Sequence, residues 1–215
     1  PLELEAGAFE KLKAVEFPQK VILSATALGT YDLCPRRYFY QYRSHMPSLD
    51  PDVVGTGSVR IPPATLGTYI HKVLELCRTA PAEKAKELAL LEESYSDGEK
   101  NVLRKEGGPL IDAYLASPLY AAYGDFPQDA EVDFELPLMT VGNASVYFEG
   151  SIDKVVHLPD GTLEIIDYKS GHPPLDGMER KAYSRQLAIY SLAAEALYHM
   201  KVSQASLHFL RNLST

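Results

Sequence analysis

The 215 residues, 46% of them hydrophobic, are enough for one domain with a sizeable core, or one core plus a helical subdomain. A formal net charge of −8, taken alone, argues against nucleic acid as a partner, because phosphate binding relies on lysine and arginine. No apolar run reaches transmembrane length, no signal peptide opens the chain, and Cys34 and Cys77 build no disulfide framework, so a cytoplasmic protein with reduced thiols is expected. The chain starts Pro1-Leu2 rather than with methionine, which leads us to expect a processed chain or a piece of a longer protein. The distribution of charge matters more than its sum. Arg36, Arg37 and Arg43 have no acid among them, and Arg180, Lys181 and Arg185 cluster again. Acids concentrate in 83–99 and 125–135. A local basic channel on an acidic body fits this pattern, and so do ordinary solvated faces.

In chain order, residues 1–23 read as a lead-in with one short apolar stretch. Ser24 is placed to cap a helix running to about Tyr42, interrupted at Pro35. Four prolines and two glycines make 46–63 a loop. Leu66, Tyr69, Ile70, Val73, Leu74 and Cys77 recur at helical spacing, so 65–79 is an amphipathic helix ended by Pro81. Helices are expected over 82–96 and 99–121, the second broken near Gly107-Gly108-Pro109. The period then changes to that of strands, at 131–138, 145–156 and 163–169. A long helix over 178–200 and a strand at 204–210 complete the chain. The order predicts an α/β fold with a mixed sheet behind an N-terminal helical region, 24–130 being mainly helical and 131–210 the sheet-and-helix core.

Pro159-Asp160-Gly161 between two β-rich runs is a hairpin signal. If the loop is those residues, with Gly161 left-handed, cross-strand partners sum to 320 and Asp153 faces Asp167. Facing side chains lie about 5 Å apart at Cβ, so two carboxylates there repel unless a divalent cation sits between them. Alternation puts Lys169 on the face of Asp167, where a lysine can orient a nucleophile and offset charge on a phosphodiester. Tyr168 points to the core, with its carbonyl in reach of a cation. An exposed hairpin would also tolerate two acids and a lysine, but Ile165 and Ile166 lead directly into Asp167-Tyr168-Lys169, and poor strand formers at the end of an apolar strand need a reason. His71 lies at the edge of the apolar stripe on its helix and, read alone, fits a structural histidine as well as a metal ligand. Gln186 and Tyr190, one turn apart beside Arg185, fit a pair that holds DNA or braces Lys169, or a core tyrosine with a boundary glutamine.

Five segments together resemble the PD-(D/E)XK nuclease superfamily in its RecB-type branch, from about Leu23 to Leu210. They are Leu23-Ser24-Ala25-Thr26-Ala27-Leu28 with Tyr31 and Cys34-Pro35-Arg36-Arg37-Tyr38-Phe39-Tyr40; Gly67 to Glu75 around His71; Gly150-Ser151-Ile152-Asp153-Lys154; Ile166 to Gly171; and Gln186-Leu187-Ala188-Ile189-Tyr190. The resemblance implies a restriction-endonuclease-like core, in a single nuclease domain that is part of a longer protein. It implies Mg²⁺ or Mn²⁺ held by His71, Asp153, Asp167 and the Tyr168 carbonyl. Lys169 is then the catalytic lysine, and Gln186 and Tyr190 complete the catalytic site and touch DNA, with Arg36, Arg37 and Arg185 as further DNA contacts. The implied reaction is hydrolysis of DNA phosphodiester bonds, exonucleolytic and on single strands or duplex ends, in recombination and repair. A UvrD/Rep-type helicase domain or subunit is the implied partner. A CRISPR-associated exonuclease is the alternative within the family, and a catalytically silent DNA-binding or scaffolding module the alternative outside enzymes. Some RecB-type nucleases hold an iron–sulfur cluster with one cysteine in the opening helix and three near the C-terminus. Cys34 occupies the first position, but no cysteine follows Cys77, so no cluster is expected in this chain. The chain has neither a Gly-x4-Gly-Lys-Ser/Thr loop for ATP nor a Gly-x-Ser-x-Gly nucleophile elbow.

Overall fold

The computed structural model describes residues 19–46, 54, 55, 59–175 and 177–215. Most of the expected lead-in (1–18) and parts of the 46–63 loop (47–53 and 56–58) lie outside them. Strand β1 (Lys20–Leu23) leads into helix α1 (Ala25–Leu33), whose first turn is capped by Ser24 Oγ accepting from the Ala27 amide at 3.0 Å. Pro35 interrupts the helix as expected and begins α2 (Pro35–Tyr38), which widens into a π-helical turn over Phe39–Arg43. Helix α3 (Pro63–Leu76) starts on proline and buries Leu66, Tyr69, Ile70, Val73 and Leu74, the predicted stripe. Helices α4 (Ala82–Glu92), α5 (Asp97–Leu115) and α6 (Pro118–Ala121) follow.

Two expectations need correction. Helix α5 runs unbroken through Gly107, Gly108 and Pro109. A proline in a helix interior costs about 3 kcal/mol. Ile111 and Tyr114 beyond it are 0% and 1% exposed and share one core with Leu103. Burying each such side chain contributes about 2 kcal/mol, so packing outweighs the local penalty. The second correction is β1, which the lead-in reading missed. It pairs parallel with the start of β3, a contact made between residues far apart in sequence.

Strands β2 (Gln128–Val141), β3 (Ala144–His157) and β4 (Leu163–Lys169) form an antiparallel run, then α7 (Gly177–Tyr198) crosses to β5 (Val202–Phe209), parallel to β4. The result is a mixed five-stranded sheet flanked by helices. Strand β2 takes one edge of β3 along most of its length. On the other edge, β1 pairs with residues 145–148 and β4 with 154–157. One apolar core joins Ile166 and Tyr168 to helices α3, α4 and α5. The other joins Ile165 and Val155 to Ile189, Tyr190 and Ala193 of α7. Strand β4 is thus buried on both faces, as a central strand must be. No helix among the described residues is long and apolar enough to cross a membrane.

Candidate active site

The Pro-Asp-Gly hairpin sets the register of the site. Gly161 has φ +81°, and the Asp160 carboxylate accepts from the Thr162 amide at 2.9 Å, closing the turn. Pairs such as Lys154–Ile166 and His157–Leu163 follow the predicted sum of 320. The ladder stops one pair short of Asp153 and Asp167. There the Asp153 Oδ2 atom takes the place of a backbone acceptor and receives the Tyr168 amide at 2.6 Å. Both acids are buried, at 7% and 2% exposure.

Around Asp167 the predicted partners assemble. Its Oδ1 accepts from Gln186 Nε2 at 3.0 Å, and Lys169 Nζ stands 2.6 Å from its Oδ2 as an ion pair. Oδ2 is buried and meets the Lys169 ammonium alone among the described residues, so one of its lone pairs stays open to a further ligand. Lys169 also donates to Gln186 Oε1 at 3.2 Å, and Gln186 Nε2 reaches Tyr190 Oη at 3.0 Å. Gln186 is therefore a three-way brace between lysine, acid and tyrosine. Tyr190 is 8% exposed and packs edge-on against Phe134.

On the other side of Asp153 stands His71. Its Nδ1 is 3.2 Å from Asp153 Oδ1, and its Nε2 is 3.1 Å from the Tyr168 carbonyl. That carbonyl, read from sequence as a metal contact, is here the partner of the histidine. Glu131 joins them, with Oε1 4.0 Å from His71 Nδ1. Sequence reading missed Glu131. It sits in the β2 register opposite Asp153, where the ladder is interrupted and its own φ is +47°. The Gly142-Asn143 turn pairs Val141 with Ala144, and a bulge between Pro137 and Met139 then shifts the register by one residue. Without the bulge Lys154 would face Glu131. A one-residue slip exchanges the faces of a strand, so the signal lies hidden behind an irregularity that no local pattern counts.

Ligand atoms of His71, Glu131 and Asp153 all lie within 4.8 Å of one another. Neighbouring ligands about an octahedral Mg²⁺ or Mn²⁺ are about 3 Å apart, close to the Asp153–His71 spacing, and an imidazole with carboxylates suits such a cation. With a lone pair of Asp167 Oδ2 left over beside its contact to Lys169, the donor set fits a divalent ion. Asp167 is not itself one of the three clustered ligands.

The charges explain the same need. Burial, then the charge of Asp153, pushes Asp167 up to about 6, against the pull of Lys169. Glu131 is also raised, by burial and then by Asp153. Burial works against a charged His71, but its hydrogen bond to Asp153 and the three carboxylates outweigh it and lift His71 to about 9. In the charged form both ring nitrogens donate, one to Asp153 and one to the Tyr168 carbonyl. To ligate a cation, His71 must release the Nδ1 proton.

A cleft of about 520 Å³ opens beside His71, Glu131 and Asp133. A groove of about 350 Å³ between α1 and α7 ends at Lys169 and Gln186. The acids lie between these two openings. Of the expected DNA contacts, Arg36 and Arg37 are exposed on α2, whereas Arg185 forms an ion pair with Asp32 of α1. Cys34 is exposed and caps α2, its sulfur accepting from the Arg37 amide at 3.4 Å; Cys77 is half-buried against the helical core.

A family model described as the PD-(D/E)XK nuclease superfamily matches residues 22–215. The chain is also 27% identical over 186 residues to one of the subunits of the ATP-dependent helicase/deoxyribonuclease of Streptococcus mutans, over 77% of this chain. It spans 16% of that relative's length.

Proposed function

The chain belongs to the PD-(D/E)XK nuclease superfamily, and from that premise we propose that it is a divalent-metal-dependent deoxyribonuclease. We assign it exonucleolytic hydrolysis of single-stranded DNA, in recombination and repair, as the nuclease part of a helicase-bearing machine. The observation that carries the reading is the convergence of His71, Glu131, Asp153, Asp167, Lys169 and Gln186, from several elements, around one point between two openings. The helicase association is supported by the name of the similar streptococcal protein.

In this reading His71, Asp153 and Asp167 hold Mg²⁺ or Mn²⁺, Glu131 joins them, and the Tyr168 carbonyl keeps the imidazole in place. A bound divalent cation supplies Lewis-acid polarisation of the phosphoryl group and eases deprotonation of water. The chain's own residues do the rest. Lys169 is fixed by Asp167 and Gln186, and in this role its ammonium would orient the attacking water and offset the charge that grows on the phosphoryl oxygens. Gln186 holds both ends of that pair, and Tyr190 holds Gln186. Asp153, Asp167 and Lys169 are all present, which disfavours a catalytically silent module.

The test is end-labelled single-stranded DNA incubated with Mg²⁺ or Mn²⁺ and either the unaltered chain or Asp167→Asn. Cleavage that needs the metal and falls at least ~100-fold in the variant is expected. No cleavage by the unaltered chain in the presence of its helicase, or full activity in Asp167→Asn, sinks the proposal.

A further inference from the structure

Helix α1 turns the usual amphipathic arrangement inside out. It buries its small residues, Ala25, Ala27 and Gly29, against the rest of the fold, and Gly29 lies so close to α7 that a Cβ there would touch Ala182 at 3.4 Å. Of its large residues Leu28 packs against the core beside α7, whereas Tyr31 at 49% and Leu33 at 42% exposure face outward. The chain then carries four more aromatics in five positions, Tyr38, Phe39, Tyr40 and Tyr42, with α2 and the π-helical turn burying none of their residues. Neither apolar core includes these rings. Tyr31, Phe39 and Tyr40 are exposed and Tyr38 and Tyr42 half-buried, and rings gathered in this number are informative, because single exposed apolar residues are ordinary and a contiguous patch is not.

The rings are ordered against one another. Tyr31 meets Tyr38 edge-on at 5.4 Å, and Tyr38 and Tyr42 stack at 5.4 Å with 28° between their planes. The Arg36 guanidinium lies over the Tyr40 ring at 5.6 Å. From Leu33 to Met46 there are three arginines and no acid, on a chain whose net charge is −8. Flat rings interleaved with cations suit unpaired bases on a phosphate backbone, whereas a duplex keeps its base faces stacked on each other. The platform is also continuous with the proposed site. Thr30 and Leu33, at its near end, line the groove that ends at Lys169 and Gln186, and the Asp32–Arg185 ion pair ties α1 to the far wall of that groove.

We propose that Tyr31, Tyr38 and Tyr42, with Arg36, Arg37 and Tyr40, form a base-stacking platform that binds single-stranded DNA and passes it along the α1–α7 groove to Lys169. The proposal rests on the nuclease reading above for the single-stranded substrate and the direction of travel, and adds the surface that binds it.

The test uses the full chain and a fluorescein-labelled oligothymidine of about 20 nucleotides, with a DNA hairpin of equal length as comparison, read by fluorescence anisotropy in EDTA. The single strand should bind more tightly than the hairpin. Replacing Tyr38 and Tyr42 together by alanine should weaken it about tenfold per ring, while replacing both by phenylalanine, which keeps the rings, should restore the affinity. Arg36→Gln with Arg37→Gln should lower the slope of log Kd against log salt by about 1.4. Unchanged affinity in the alanine variant overturns the proposal, as does a phenylalanine variant as weak as the alanine one. So does a sedimentation result in which the rings govern self-association and not DNA binding, which would make the patch an interface between copies of the chain. Cleavage of bis(p-nitrophenyl) phosphate with Mn²⁺ by the unaltered chain, a substrate too small to reach the rings, tests the nuclease reading separately. Ring-dependent binding without that cleavage would keep the platform and remove the nuclease.

Discussion

Gln186 is the residue on which the candidate site should depend most sharply for its size. Its side-chain amide donates to Asp167 Oδ1 at 3.0 Å, accepts from Lys169 at 3.2 Å and contacts Tyr190 Oη at 3.0 Å. Gln186→Met keeps the length of the side chain and removes all three bonds. Two of them involve charged groups, each contributing about 1.5–3 kcal/mol, and Asp167 is only 2% exposed, so water cannot replace the lost donor. Lys169 stays 2.6 Å from Asp167 Oδ2 and offsets part of the loss. The expected destabilisation is about 2–4 kcal/mol. Tyr190→Phe removes one neutral bond and leaves the Gln186–Asp167 contact intact, so about 1 kcal/mol is expected there. Urea unfolding of both variants and of the double variant measures this. The double variant should cost little more than Gln186→Met, because the tyrosine acts through the glutamine. If Gln186→Met costs less than about 1 kcal/mol, or if the two effects simply add, Gln186 is not the brace the geometry makes it.

Three further expectations follow from single features. Glu131→Gln should weaken Mn²⁺ binding about 10- to 100-fold by isothermal titration calorimetry, whereas Asp133→Asn, in the same cleft but outside the clustered ligand atoms, should change it little; equal effects would deny Glu131 its place. Burial, with the charge of Lys154, pushes His208 down to about 4, while the unfolded chain titrates near about 6.5. The unfolded state then binds the extra proton between those values, so the contribution of His208 is full above about pH 6.5 and about 2 kcal/mol of it is lost by about pH 5. His208→Gln should remove about that much of the difference in urea stability between about pH 7 and pH 5, and an unchanged difference would refute the assignment. Gly107→Ala in α5 would set a Cβ 2.9 Å from the Tyr69 ring, so it should destabilise by about 1–3 kcal/mol although alanine is the better helix former; a rise in melting temperature would show that the ring yields freely.

The helical stripe of α3 and the β3–β4 hairpin were legible because their signals are local. A three-residue turn with a left-handed glycine sets the register by counting, and period-2 alternation then places Asp153, Asp167 and Lys169 on one face. Gln186 and Tyr190 were legible as one-turn neighbours, but whether they braced the lysine or filled the core depended on where α7 lies against β4, and the fold makes them do both. The limits lie where non-local packing competes with local propensity. Helix α5 continues through Gly107-Gly108-Pro109 because its far half is buried, and β1 exists because β3 has a free edge to offer it.

The paired acids and the lysine follow from the order of residues alone, since a short turn leaves the chain one way to align them. That Glu131 joins them follows only from the packing of distant strands. One extra residue in the bulge between Pro137 and Met139 moves β2 by a single position and turns a lysine-facing glutamate into the neighbour of Asp153 and His71. A sheet side chain changes face with every step along the strand, so a register that rests on one bulge must be seen in three dimensions before its face is known.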